Sequence, residues 1–181
     1  MTKADELFRQ YGFGKTTVAD IAAELGMSTA NIYKFFPSRN AIVESCAERN
    51  VATMQREVTG IVEAGGGAMD RVERCILTIF QFHKELLRNE RQIFKLVVSA
   101  IEEGWACIRV FDGFMLQTLT RLVREGVEQN EFRPADPEAT ARALLDCLSI
   151  ALHPHMRYGS IHDGSEERVR AQLQFLARAL G

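Results

Sequence analysis

The segment from Val18 to Phe36 constrains this chain more than any other, because its apolar residues fall where two short helices crossing at a tight turn need them. Counting Val18 as the first position, apolar side chains stand at the fourth (Ile21), eighth (Leu25), tenth (Met27), fifteenth (Ile32) and eighteenth (Phe35). The fifth, where the helices approach, is the small Ala22. The ninth is Gly26, and glycine alone takes positive φ freely. An ordinary hairpin in a helical bundle does not demand all of these at once. The pattern therefore reads as a DNA-binding helix-turn-helix.

Local chemistry marks the ends of its helices. Thr17 with Asp20 three residues on forms a capping-box pattern, in which the hydroxyl accepts a backbone N–H and the acid reaches back. Ser28 caps the next helix, and Pro37 ends it by excluding the preceding residue from helical geometry. The residues left facing outward are Ser28, Thr29, Ala30, Asn31, Tyr33 and Lys34. Thr29 and Asn31 can exchange hydrogen bonds with base edges, asparagine favouring adenine, and the methyl groups of Ala30 and Thr29 suit thymine. Tyr33, Lys34, Thr17 and Arg39 are placed to meet phosphate. The net charge of −2 does not itself announce a nucleic acid, but from Leu25 to Val43 the only charged residues are Lys34 and Arg39. No acid on that surface repels a phosphate backbone.

Helical periodicity dominates elsewhere, without convincing strand alternation. A first helix is expected from Thr2 to Tyr11 and a fourth from Arg39 to Ala64, which at ~1.5 Å per residue is about 39 Å long. Gly65, Gly66 and Gly67 interrupt the pattern, and helices follow near 68–88, 90–103, 106–129, 137–157 and 164–180. The expected fold is all-α: an N-terminal three-helix head with the helix-turn-helix (1–45) and a C-terminal antiparallel helical body (46–181).

Residues Gly12–Ala22, Leu25–Ser28 and Asn31–Arg39 closely resemble the N-terminal domain of the TetR family of bacterial regulators. The likeness covers about residues 5–50. It includes both threonines, the Tyr33-Lys34-Phe35-Phe36 ending and the Pro37-Ser38-Arg39 entry to the fourth helix. The resemblance implies a nine-helix subunit, a homodimer, and repression at a palindromic double-stranded operator relieved by a small-molecule effector. Members usually carry a longer first helix preceded by basic residues. This sequence starts a few residues before Leu7, which leaves open a shortened start or the loss of contacts such an arm makes.

In the family the last two helices form a four-helix interface with their symmetry mates. Here they carry stripes of Ala139, Ala143, Leu144, Cys147, Leu148, Ala151 and Leu152, and of Val169, Leu173, Leu176, Ala177 and Leu180. The expectation places Leu144, Leu148, Leu152, Leu173, Leu176 and Leu180 in the dimer interface; the alternative is that they close the subunit's own core. The central helices carry Phe80, His83, Phe94, Trp105, Phe111, Phe114 and Met115, and with Cys147 these are the candidate lining of an effector pocket. Apolar lining with few polar groups suits a mostly apolar ligand. Aromatics at helical spacing serve equally well as plain core.

Enzymatic chemistry finds no support: there is no phosphate-cradling glycine loop and no nucleophile–base arrangement. Cys46, Cys75, Cys107 and Cys147 form no Cys-x-x-Cys pair and are expected as buried, reduced thiols, while His153 and His155 stand two apart with no carboxylate at ligand spacing. Neither metal nor cofactor is expected. No apolar run approaches a membrane span, and Met1–Glu6 lacks the profile of a secretion signal, so a cytoplasmic location is expected. The rival to a regulator is a helical small-molecule-binding protein whose DNA-binding head is vestigial.

Overall fold

Two caps and a glycine shape the start of the chain. Thr17 is the N-cap of α2 (Val18–Glu24) in a complete capping box, and Ser28 is the N-cap of α3 (Thr29–Tyr33), its Oγ accepting from the Asn31 N–H. Ahead of them lies α1 (Thr2–Tyr11). The computed structural model describes residues 2–133, 136–152 and 165–181. After α3 come α4 (Arg39–Glu63), α5 (Ala68–Asn89), α6 (Arg91–Glu102), α7 (Ala106–Glu128), α8 (Pro137–Leu152) and α9 (Ser165–Leu180). Among the described residues there are nine helices and no strand. The part of the eighth helix expected over 153–157 lies outside the described residues, as do Pro134 and His153 to Gly164.

Packing divides the described chain into two compact units. The first holds residues up to Ala52 together with Glu85–Ile108. Beyond the head expected over 1–45, this unit takes in α6, which packs against α1. Arg9 pairs with Glu90 there, and Gly12 leaves room for the Gln92 side chain. Ala4, Leu7, Phe8, Val18, Ile21, Ala22, Ile32, Ile42 and Val43 are buried in this unit.

The second unit holds Thr53–Lys84 and the chain from Arg109 on. One core runs through it, joining Val58 and Val62 of α4, Val72, Ile76 and Ile79 of α5, Leu119 and Leu122 of α7, and the leucines of α8 and α9. The Glu131 carboxylate caps α5 by accepting from the Ala68 N–H at 2.7 Å. Arg71, buried, donates to Glu125 at 2.6 Å, and Arg121 links Glu125 to Glu63. These ties fix the α4 terminus, α5 start and α7 within the unit.

The leucine expectation is corrected by this core. Leu144, Leu148, Leu152, Leu173, Leu176 and Leu180 are all buried within the subunit, so they close its own interior. The α8 stripe mixed two faces. On α8 the outward positions are Ala139, Ala143 and Cys147, one helical turn apart, and on α9 the outward Phe175 is 71% exposed. Cys147 is likewise exposed, against the expectation of four buried thiols. For the other three the reading holds: burial pushes the Cys46 thiol up to about 12 and Cys75 to about 11, and raises Cys107, so all three stay protonated at neutral pH.

Candidate nucleic-acid interface

The turn between α2 and α3 is built by hydrogen bonds that only one backbone conformation allows. Gly26 has φ +62°, its N–H bonds the Ala23 carbonyl at 3.1 Å, and the Met27 N–H bonds the Ala22 carbonyl at 2.9 Å. This is the Schellman ending, which satisfies the last carbonyls of α2 and swings the chain into α3. Val18, Ile21, Ala22 and Ile32 are buried as expected, and Leu25 is half-buried. With Ile32 as its inward anchor, α3 turns Ser28, Thr29, Ala30, Tyr33 and Lys34 to solvent and leaves Asn31 half-exposed.

Two apolar positions depart from the expected pattern. Met27 is 45% exposed and Phe35 71% exposed, although both were assigned to the interior. The helix is too short for its period to reach Phe35: α3 ends at Tyr33, and the Phe35 and Phe36 N–H groups both close onto the Ile32 carbonyl, at 3.0 and 3.1 Å. That tightened turn passes the inward position to Phe36, which is half-buried. Met27 sits in the extended link between the helices.

Thr17 and Arg39 are partly engaged inside the fold. The Thr17 hydroxyl donates to the Asp20 carboxylate at 2.7 Å while its N–H donates to the same oxygen at 2.8 Å. The Thr17 backbone N–H, followed by its hydroxyl, holds the Asp20 carboxyl below its usual range. Arg39 donates from Nε to the Thr16 carbonyl at 2.9 Å and is half-buried. Thr16, given no role from sequence, is buried, and its hydroxyl donates to the Gly12 carbonyl at 3.0 Å. The paired threonines therefore brace α2 against α1 and α4, and only Thr17 faces water. Ser38 caps α4 by accepting from the Ala41 N–H at 3.1 Å.

The candidate pocket residues are divided between the two units. Phe94 is fully buried and Trp105 packs beside Ala47, Ala100 and Cys107, all in the first unit. Phe80 and Met115 belong to the core of the second, with Phe111 and Phe114 packed on it at a ring separation of 6.1 Å. His83 is half-buried beside Phe82, and Cys147 is exposed. A groove of about 490 Å³ lies on α7 at the start of α8, lined by Leu116, Gln117, Arg121, Arg124 and Glu138, and includes none of these eight residues. Among the described residues no helix is long and apolar enough to cross a membrane.

Comparison with known proteins bears directly on this arrangement. Residues 1–46 match the bacterial regulatory proteins of the tetR family, and residues 68–171 match the tetracyclin repressor-like C-terminal domain. The HTH-type transcriptional regulator YhgD of Bacillus subtilis is 22% identical over 152 residues, spanning 82% of this chain and 78% of that protein. SmeT, the repressor of a Stenotrophomonas maltophilia multidrug efflux pump, shares the fold with a TM-score of 0.70 at 18% identity, over 99% of this chain and 87% of SmeT. The transcriptional regulator FadR of Bacillus subtilis, solved with stearoyl-CoA, has a TM-score of 0.66 at 14% identity, over 99% of this chain and 97% of FadR. With an N-terminal and a C-terminal domain of the family both matched and the helix-turn-helix formed, this protein belongs to the TetR family and is a ligand-responsive, DNA-binding transcriptional regulator rather than an enzyme.

Proposed function

We propose that the chain is a cytoplasmic repressor that binds a palindromic operator as a homodimer and releases it when a mostly apolar effector binds the body. The observation that carries this reading is the exposed polar side of α3, held outward by the buried Ile32. In it Thr29, Ala30 and Asn31 read bases, while Ser28, Tyr33, Lys34 and Thr17 position the backbone. Arg39 supports the site chiefly by holding the Thr16 carbonyl. A two-fold pair would carry two reading helices about 34–36 Å apart, one turn of DNA.

The dimer contact in this proposal is the outward side of α8 and α9: Ala139, Ala143 and Cys147 permit close approach, and Phe175 supplies an apolar anchor. For the effector, the unit containing Phe80, Phe111, Phe114 and Met115 is the proposed binding region, with His83 as a polar contact. The stearoyl-CoA held by FadR accords with a ligand that has a long apolar body. Release follows if the ligand favours a position of α4 that alters the spacing of the two heads, since α4 runs unbroken over 25 residues and contributes to both units.

Selection of duplexes from a random pool by the purified protein tests the proposal. Enrichment of an inverted repeat with half-sites one turn apart, lost on Phe175→Glu, is the expected result. Enrichment of a lone half-site, or none, contradicts it.

A further inference from the structure

Exposed phenylalanine is costly, and the one at the end of α3 is fixed in place. Phe35 is 71% exposed, beside Tyr33 at 50%, and its N–H is held to the Ile32 carbonyl at 3.0 Å. Phe36 below it is half-buried, and Pro37 restricts the backbone that follows. The ring therefore cannot turn inward without dismantling the end of α3. Little backbone order remains to be lost when a partner covers it.

The charges around it are sparse. Up to Asn50 the cations are Lys3, Arg9, Lys15, Lys34, Arg39 and Arg49. Lys3 pairs with Glu6, Arg9 with Glu90 and Arg49 with Asp5, while Arg39 is turned to the Thr16 carbonyl. Lys15 and Lys34 remain as exposed cations without an ion pair among the described residues. A head with so few free charges draws less of its affinity from phosphate than regulators that neutralise many.

We infer that Phe35 is a DNA-contacting residue whose ring packs on deoxyribose and base-edge carbon at the operator, replacing part of the ionic affinity with apolar contact. The inference rests on α3 as the reading helix. DNA is the occupant because Phe35 directly follows Tyr33 and Lys34 and is exposed as they are, and no acid stands between Leu25 and Val43. Apolar contact of this kind is insensitive to salt, whereas each lysine–phosphate contact contributes a log–log slope of about −0.9.

The test uses the full-length protein, a duplex selected by the wild type from a random pool, and a scrambled duplex, with binding followed by fluorescence anisotropy between 50 and 200 mM NaCl. The wild-type slope is expected to be about −4 or shallower for two heads. Phe35→Ala is expected to bind roughly tenfold more weakly at every salt concentration with that slope unchanged. Phe35→Leu restores most of the loss, and the thermal unfolding of both variants matches the wild type. Lys34→Ala flattens the slope by about 0.9 for each head. If Lys34→Ala weakens binding and Phe35→Ala does not, or if Phe35→Ala changes the slope instead of the offset, the inference about Phe35 fails alone. Should neither variant weaken binding, α3 is not the reading helix and both readings fall.

Discussion

Gly26 in the head and Gly126 in the body are required for opposite reasons. Gly26 stands at φ +62° with nothing near the place a Cβ would occupy, so its need is conformational. Gly126 sits within α7 where helical geometry suits any residue, but an added Cβ would collide with the ring of buried Phe132. The head is thus specified by short-range backbone chemistry: caps, one left-handed turn and a proline. The body is specified by which long helices press together, and its critical positions are defined only by neighbours distant in sequence.

The strongest challenge to that contrast is Leu148→Ala in the body. Leu148 is fully buried in the second unit's core, so truncation is expected to cost about 3 kcal/mol in urea unfolding. A loss under about 1 kcal/mol together with dissociation of subunits would instead put this leucine at an interface between copies.

Gly126→Ala and Gly26→Ala sharpen the comparison. The first is expected to cost about 2 kcal/mol through overpacking. Pairing it with Phe132→Leu is expected to return part of the loss, which a double-mutant cycle reads as coupling. Gly26→Ala is expected to cost about 1 kcal/mol through left-handed strain alone, with no such neighbour to relieve it. Equal costs without coupling at Gly126 would remove the distinction.

A smaller effect concerns the cap that starts α2. Hydrogen bonds from Thr17 lower the Asp20 carboxyl, so its folded value lies below its unfolded one. The stabilisation is therefore complete above the ordinary carboxylate range and fades as pH falls through the lowered value. An NMR titration following the Thr17 amide should show that step on the acid side of a free aspartate, and Asp20→Asn should abolish it. A midpoint at or above the ordinary aspartate value would mean that the box contributes nothing.

This contrast also explains what could be read from the residues alone. Thr17, Ser28, Gly26 and Pro37 act on their immediate neighbours, so the three head helices and the side of α3 that faces water were legible. Phe35 was misassigned because a five-residue helix ends before its period can be extended, and the closing turn reassigns inside and outside. On α8 and α9 leucine and alanine lie side by side in both stripes, and periodicity without a partner helix cannot say which column faces the core. The core took Ala141 together with Leu144, Leu148, Leu173, Leu176 and Leu180, and left Ala139, Ala143 and Phe175 outward. The division of the aromatic set was illegible for a related reason: Phe94 and Trp105 pack in one unit and Phe80 and Met115 in the other, which helical spacing alone does not tell apart.

The central claim is that the side chains of α3 discriminate bases, and base preference in an Asn31→Ala variant tests it most directly. Sequenced selections with wild type, Asn31→Ala and Lys34→Ala should show that loss of the amide erases a preference of roughly 5- to 150-fold at one base pair in each half-site. Loss of the lysine should lower affinity across all sequences without altering their ranking. An Asn31→Ala protein that keeps the wild-type ranking at every position would contradict the account.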